Sequence, residues 1–247
     1  MILEGDLSPL LSAGLAMRRH TLRALAALSK FLGMHNEFIE LRRRYGVKWD
    51  KGETSRLVIK RLTGEIGSNV LEWITRAYKV FDDDQRALFR YLIFTGVRVE
   101  EACSTWGLIH VLGAENIHEY YNERMSALEH YRYPKLFLRR TKTLYISFVT
   151  RDILEDILRG RRNKITWWSL AAALRKHGLP SRFGDVRELW ATRMIRDLSQ
   201  PEIDFLQGRI TQSVFMRHYF NASLLPDLRD RTLRAAEKLL NEAIGSP

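Results

Sequence analysis

One cysteine in the whole chain, Cys103, leaves nothing to pair with in an internal disulfide and no second thiol for a zinc site. The seven histidines are scattered without ligand-like spacing, so no metal and no cofactor is expected. No apolar run approaches the roughly 18 residues of a membrane span, which argues against a membrane partner. The opening "MILEGDLSPLLSAG" lacks the cationic flank and long apolar stretch of a signal peptide, so a cytoplasmic location is expected. Internal repeats and low-complexity tracts are missing too.

What is abundant is positive charge. Forty Lys and Arg face 29 Asp and Glu, a formal net charge of +11, which favours a polyanion as partner: nucleic acid or an acidic membrane surface. With 45% hydrophobic residues in 247, the chain can bury one large core or two unequal ones.

Helical punctuation dominates. In "TLRALAALSKFLG", Leu22, Leu25, Leu28 and Leu32 recur at helical spacing and Gly33 supplies a stop. "EFIELRRRYG" and "TSRLVIKRLTG" follow the same pattern and carry bases near their ends. The looser "TGEIGSN" predicts a linker, dividing the chain into a helical domain at 1–66 and a larger one at 67–247. Beyond it, "SNVLEWITRAYKVF" predicts a helix, and Asp82 to Asp84 predict a cap for "QRALFRYLIFTG". Thr150 is a plausible N-cap for "TRDILEDILRG", and "TWWSLAAALRKHG" closes on Gly178. Further helices are expected from about Asp185, from Pro201 and over "PDLRDRTLRAAEKLLNEAIG". The only convincing strands lie at 136–149, a hairpin with Arg139, Arg140, Thr141 and Lys142 at its tip. The expected fold is mostly α with a small antiparallel β-sheet.

Four basic places stand out. In "FTGVRVEEACSTW", Glu101 lies three residues after Arg98, a spacing that lets its carboxylate orient the guanidinium. By itself such a pair is equally a solvated ion pair of little worth. Lys142 sits on the hairpin tip, Arg187 opens an otherwise core-seeking helix, and "DFLQGRITQSVFMRHYF" gathers Arg209, Arg217, His218 and Tyr219. Along one unbroken helix Arg209 and Tyr219 would stand about 15 Å apart and roughly 80° out of phase. A turn is therefore required to bring them to one site, and Thr211 or Ser213 can cap the helix after it. Nearby cations favour the phenolate of a tyrosine, whose natural target is then a phosphate; a surface tyrosine packed on the core is the plain alternative.

In order along the chain stand an Arg-x-x-Glu after Thr-Gly, a hairpin lysine, a helix-start arginine and a Gly-Arg followed ten residues later by Tyr. This order resembles the tyrosine recombinase (phage integrase) family, and "DFLQGR" and "SVFMRHY" are most similar to its archaeal virus and plasmid integrases. The resemblance covers residue 70 to the end. It implies a tyrosine recombinase catalytic fold, preceded by a shortened helical core-binding domain that clamps DNA. By position Arg98 matches the first catalytic arginine, Glu101 its acid partner, Lys142 the hairpin lysine, Arg187 the second arginine and Tyr219 the nucleophile. Arg209 stands where the family has His or Trp, and Gly184 where it has His or Lys; Arg182 and His218 are the nearby candidates to replace the latter.

The implied activity is cleavage and rejoining of double-stranded DNA at an attachment site through a 3′-phosphotyrosyl link, with no metal. The implied assembly is a homo-tetramer on DNA, monomer or dimer without it, in which the final helix docks on an adjacent protomer, although an ordinary core helix gives the same pattern. Phosphate contacts are expected from Arg42, Arg43, Arg44, Lys48 and Lys51, and from Arg161, Arg162 and Lys164 with Arg159. A type IB topoisomerase shares this chemistry, and a noncatalytic DNA-binding protein with the same fold is the rival from another class.

Overall fold

The computed structural model describes residues 1–49, 69–139, 142–209 and 225–245. It divides into two compact units, Met1–Ile66 and Gly67–Pro247.

The first unit contains α1 (Pro9–Ser12), α2 (Leu15–Phe31) and α3 (His35–Arg44). Leu7, Leu10, Leu22, Leu25, Phe38, Leu41 and Val47 are in its core. Of the four leucines whose spacing predicts an inward stripe, Leu22 and Leu25 face inward, whereas Leu28 and Leu32 are 46% and 42% exposed. Arg18 braces the turn between α1 and α2 by donating to the carbonyls of Leu10 and Leu11 at 2.8 and 2.9 Å. The helix expected over "TSRLVIKRLTG" and the linker up to Ser68 lie outside the described residues.

The second unit is mostly helical around a small antiparallel sheet. α4 (Val70–Val80) leads to α5 (Asp83–Thr95), where Asp82 caps as expected: its carboxylate accepts from the Gln85 amide at 3.1 Å. After α6 (Val99–Asn116), which kinks at Gly113, come β1 (Tyr121–Asn122) and β2 (Ala127–Leu128). A helical turn α7 (Pro134–Phe137) precedes β3 (Leu138–Arg139), β4 (Lys142–Thr143) and β5 (Ser147–Phe148). Then follow α8 (Arg151–Leu158), α9 (Trp167–Lys176), α10 (Phe183–Met194), α11 (Gln200–Leu206) and α12 (Leu225–Ile244).

The sheet departs from the expected single hairpin. Among the described residues β2 pairs with both β1 and β5, and β3 pairs only with β4, giving two small sheets. Residues 136 and 137, expected in a strand, close a helical turn started by Pro134, whose fixed φ suits a first turn. β1 and β2 escape sequence reading because two-residue strands carry no measurable alternation.

The final helix packs within its own unit as an ordinary core helix does, one of the two readings its pattern allows. α12 lies against α4, α5 and α10 of its own unit, burying Leu228, Ala235, Ala236, Leu239 and Leu240. Thr75 donates to the Ala243 carbonyl at 2.9 Å, and Arg231 pairs with Glu202 at 2.6 Å. An apolar stripe cannot say which surface it covers; here the nearest one is its own.

A wholly buried polar chain ends on Ser147 of β5. Tyr120 and Ser147 hydroxyls bond the two ring nitrogens of His130 at 2.5 and 2.8 Å. Burial pulls the His130 pKa down to about 3, so the ring is neutral. An unfolded His takes its proton near 6.5, so between those values the unfolded chain binds the extra proton. Stability is fully present above pH 6.5 and falls as pH drops, by up to about 1.4 kcal/mol per pH unit from this group. Urea unfolding at pH 6.5 and pH 5 is expected to show this loss, and His130→Gln to flatten it; equal slopes in both proteins would assign the loss to other groups.

Candidate active site

Three segments distant in the chain meet at the carbonyl of Gly96. α5 ends there with φ +62, and a β-carbon at Gly96 would overlap the indole of Trp190. That close approach lets α10 lie on the α5–α6 turn, where Trp190 Nε1 donates to the Phe94 carbonyl at 2.8 Å. One turn earlier on α10, Arg187 is buried and forks: Nη1 donates to the Gly96 carbonyl at 2.9 Å and Nη2 to the Gln207 carbonyl at 2.5 Å. Gln207, fully buried, ties back through Nε2 to the carbonyls of Arg187 at 3.0 Å and Gly96 at 3.3 Å.

Each tie sits two residues from another arginine. Beyond Gly96 comes Arg98, at the N-cap of α6, and Glu101 one turn on takes hold of it twice. Glu101 Oε2 accepts from the Arg98 amide at 3.0 Å and Oε1 from its guanidinium at 2.6 Å. Glu101 is 1% exposed, so this is no solvated surface pair. Beyond Gln207 comes Arg209. Its amide donates to the Asp204 carbonyl at 2.7 Å while that of Gly208 donates to Phe205 at 2.9 Å, a Schellman ending with Gly208 at φ +59.

The electrostatics reflect the gathering of charge. Burial, then the positive charges of Arg98 and Arg209, pull the Arg187 pKa down to about 9, against opposing help from Glu101 and Asp204. Arg187 remains protonated at neutral pH, in a positive field that an anion would relieve.

The β3–β4 hairpin closes one side. Leu138 pairs with Thr143 and Arg139 with Lys142. Thr143 Oγ1 donates to the Gly208 carbonyl at 3.4 Å, and the Thr143 carbonyl occupies the place of a Gly208 β-carbon. Lys142 is exposed and makes no ion pair among the described residues. Arg139 reaches Glu101 at 3.7 Å.

Other positions fall outside this gathering. Tyr219, His218 and Lys51 lie outside the described residues. Arg182 stands at the N-cap of α10 and is held by Asp185 at 2.6 Å. Gly184 is exposed, with open space where a side chain would begin. Arg43, Arg44 and Lys48 are exposed, and Arg42 lies over the Trp49 ring at 5.4 Å. The second basic run is less free than its composition suggests. Arg162 pairs with Asp82 at 2.9 Å, its amide and that of Arg161 both donate to Asp84, and Arg159 pairs with Glu155 at 2.9 Å. Arg162 thus has carboxylates beside it while its side chain stays half exposed, and Arg161 and Lys164 are exposed too. Among the described residues no three His, Cys, Asp or Glu are grouped to hold a metal ion, and no helix is long and apolar enough to cross a membrane.

Sequence reasoning missed Gln207, Gly96 and the Arg139–Glu101 tie. "FLQGR" and "FTGVR" put Gln207 and Gly96 two residues before an arginine, but their bonds run to partners far along the chain.

Gly208→Ala is expected to destabilise the second unit by more than about 1–3 kcal/mol, since left-handed strain adds to overlap with the hairpin backbone. Gly184→Ala is expected to be neutral or slightly stabilising. Denaturant unfolding compares them, and similar midpoints would contradict the packing of the hairpin on Gly208.

A family model described as archaeal phage integrase matches residues 67–229. Among curated proteins and among solved structures, none matches the chain. The match begins where the second unit begins and spans all three arginines, the hairpin and the Gly-Arg segment. The chain belongs to the archaeal phage integrase family, proteins of DNA integration and recombination.

Proposed function

We propose that the chain is a site-specific tyrosine recombinase that cleaves and rejoins double-stranded DNA at an attachment site through a covalent link to Tyr219. The single observation that carries this reading is the shared field of Arg98, Arg187 and Arg209, anchored through Gly96 and Gln207.

The phenol oxygen of Tyr219 attacks the scissile phosphorus, its proton passing to solvent. Arg98, Arg187 and Arg209 stabilise the charge that builds on the nonbridging oxygens. Fixed before the reaction, donors of this kind contribute a few kcal/mol each. Glu101 holds Arg98 in orientation. Lys142 gives a proton to the departing 5′-oxygen, which otherwise leaves as a poor alkoxide. The 3′-phosphotyrosyl bond conserves the phosphodiester energy, so a 5′-hydroxyl from a second duplex can reverse the step. Exchange between two duplexes calls for a tetramer. The exposed Arg43, Arg44 and Lys48 of the first unit, with Arg161 and Lys164 of the second, hold the DNA backbone without reading bases.

The open space at Gly184 favours one further reading, a noncatalytic DNA-binding protein that keeps the fold, because no side chain begins where the family has His or Lys. One experiment decides between them. A nicked half-site DNA is incubated with wild type and with Tyr219→Phe and run on a denaturing gel. The recombinase reading expects a covalent protein–DNA band in the first and none in the second; no band in either would leave only the binder. Arg187→Ala is expected to slow cleavage by roughly 100-fold or more. Arg43→Glu with Arg44→Glu is expected to weaken DNA binding and to lower the slope of log affinity against log salt by about 0.9 for each phosphate no longer neutralised. An unchanged slope would mean that these two arginines do not touch the DNA backbone.

A further inference from the structure

We infer that Arg139 is a positioning residue for Lys142: its pairing with the buried Glu101 holds the β3–β4 hairpin so that the Lys142 ammonium reaches the departing 5′-oxygen. This rests on the recombinase reading above.

The hairpin needs such a tie. β3 and β4 are two residues each and, among the described residues, pair only with one another, so no larger sheet fixes their orientation. The base of the hairpin is held by the buried Phe137 and Leu144, and among the described residues two side-chain contacts reach out from the strands themselves: Thr143 against Gly208 on one side and Arg139 against Glu101 on the other. Arg139 and Lys142 are opposite one another in register, and opposed residues of an antiparallel pair project from the same face of the ribbon. Arg139 Nη2 reaches Glu101 Oε1 at 3.7 Å, so that face looks toward the start of α6, where Arg98 sits. Lys142 therefore shares the face turned to the arginine cluster.

Glu101 suits the role because it does not depend on Arg139. It is 1% exposed and already bound by both the amide and the guanidinium of Arg98. Removing Arg139, which is 43% exposed, loosens the Lys142 end of the hairpin and leaves the hold on Arg98 in place. The deficit then falls on proton delivery, not on phosphate binding. As the P–O5′ bond breaks, its electron pair goes to O5′, which takes a proton from Lys142; the amine regains one from solvent.

That division can be read out by replacing the bridging 5′-oxygen with sulfur, because a thiolate leaves without a proton. Single-turnover cleavage of nicked DNA carrying oxygen or sulfur at that position is measured for wild type and for Arg139→Ala, Lys142→Ala and Arg98→Ala. With oxygen, Lys142→Ala is expected to be slower by on the order of 10²–10⁴-fold and Arg139→Ala by roughly 5- to 100-fold. With sulfur, both are expected to return to about the wild-type rate, which also shows that they fold, while Arg98→Ala stays slow. Arg139→Ala equally slow on both substrates, or unimpaired with oxygen, overturns the inference and leaves the recombinase reading standing. Lys142→Ala that is unimpaired, or not restored by sulfur, removes Lys142 as the acid and the inference with it. No covalent product from wild type on either substrate overturns the recombinase reading itself.

Discussion

A buried guanidinium bonded to two main-chain carbonyls is the constraint on which the rest of the second unit's site depends. Arg187 takes its Gly96 bond from the end of α5 and its Gln207 bond from the end of α11. Burial of a charge is costly, and neutral carbonyls only partly offset it. Arg98 and Arg209 raise the cost further, which is why the Arg187 proton is held less firmly than in water. Such an arrangement disfavours itself until an anion arrives. The same bonds that satisfy Arg187 fix the main chain two residues before Arg98 and two before Arg209.

Two glycines make that geometry possible. Gly96 admits the Trp190 ring and Gly208 the hairpin backbone, and both take left-handed φ at a helix end. Each is followed within two residues by an arginine of the site. A side chain at either would push α10 or the hairpin away and disturb the gathering of the three arginines. Glu101 adds a second level of order, since one buried carboxylate holds Arg98 and meets Arg139 from the hairpin.

Charge elsewhere is less uniform than the net value of +11 suggests. Arg90 is paired with Asp152 and Asp156, and Arg162 with Asp82, so part of the positive charge of the second unit is locally compensated. The first unit carries open charge in Arg43, Arg44 and Lys48, on a fold of its own with its own core. Long-range attraction to a polyanion depends on the sum, whereas the points of contact depend on which cations lack a carboxylate beside them.

Local pattern was enough for most of the helices. The cap at Asp82, the stops at Gly33 and Gly178 and the stripe of α12 each depend on residues within a turn of one another, whereas Thr150 stands at the N-cap of α8 as expected but makes no side-chain capping bond. The identity and order of the arginines were legible for the same reason. The tertiary structure alone decided that Gly96 and Gln207 bind one guanidinium, that α12 packs on its own unit, that Arg162 meets Asp82 and that Arg139 meets Glu101. Those outcomes join residues tens of positions apart, and a periodicity of three or four residues holds no information about which distant partner a side chain will find.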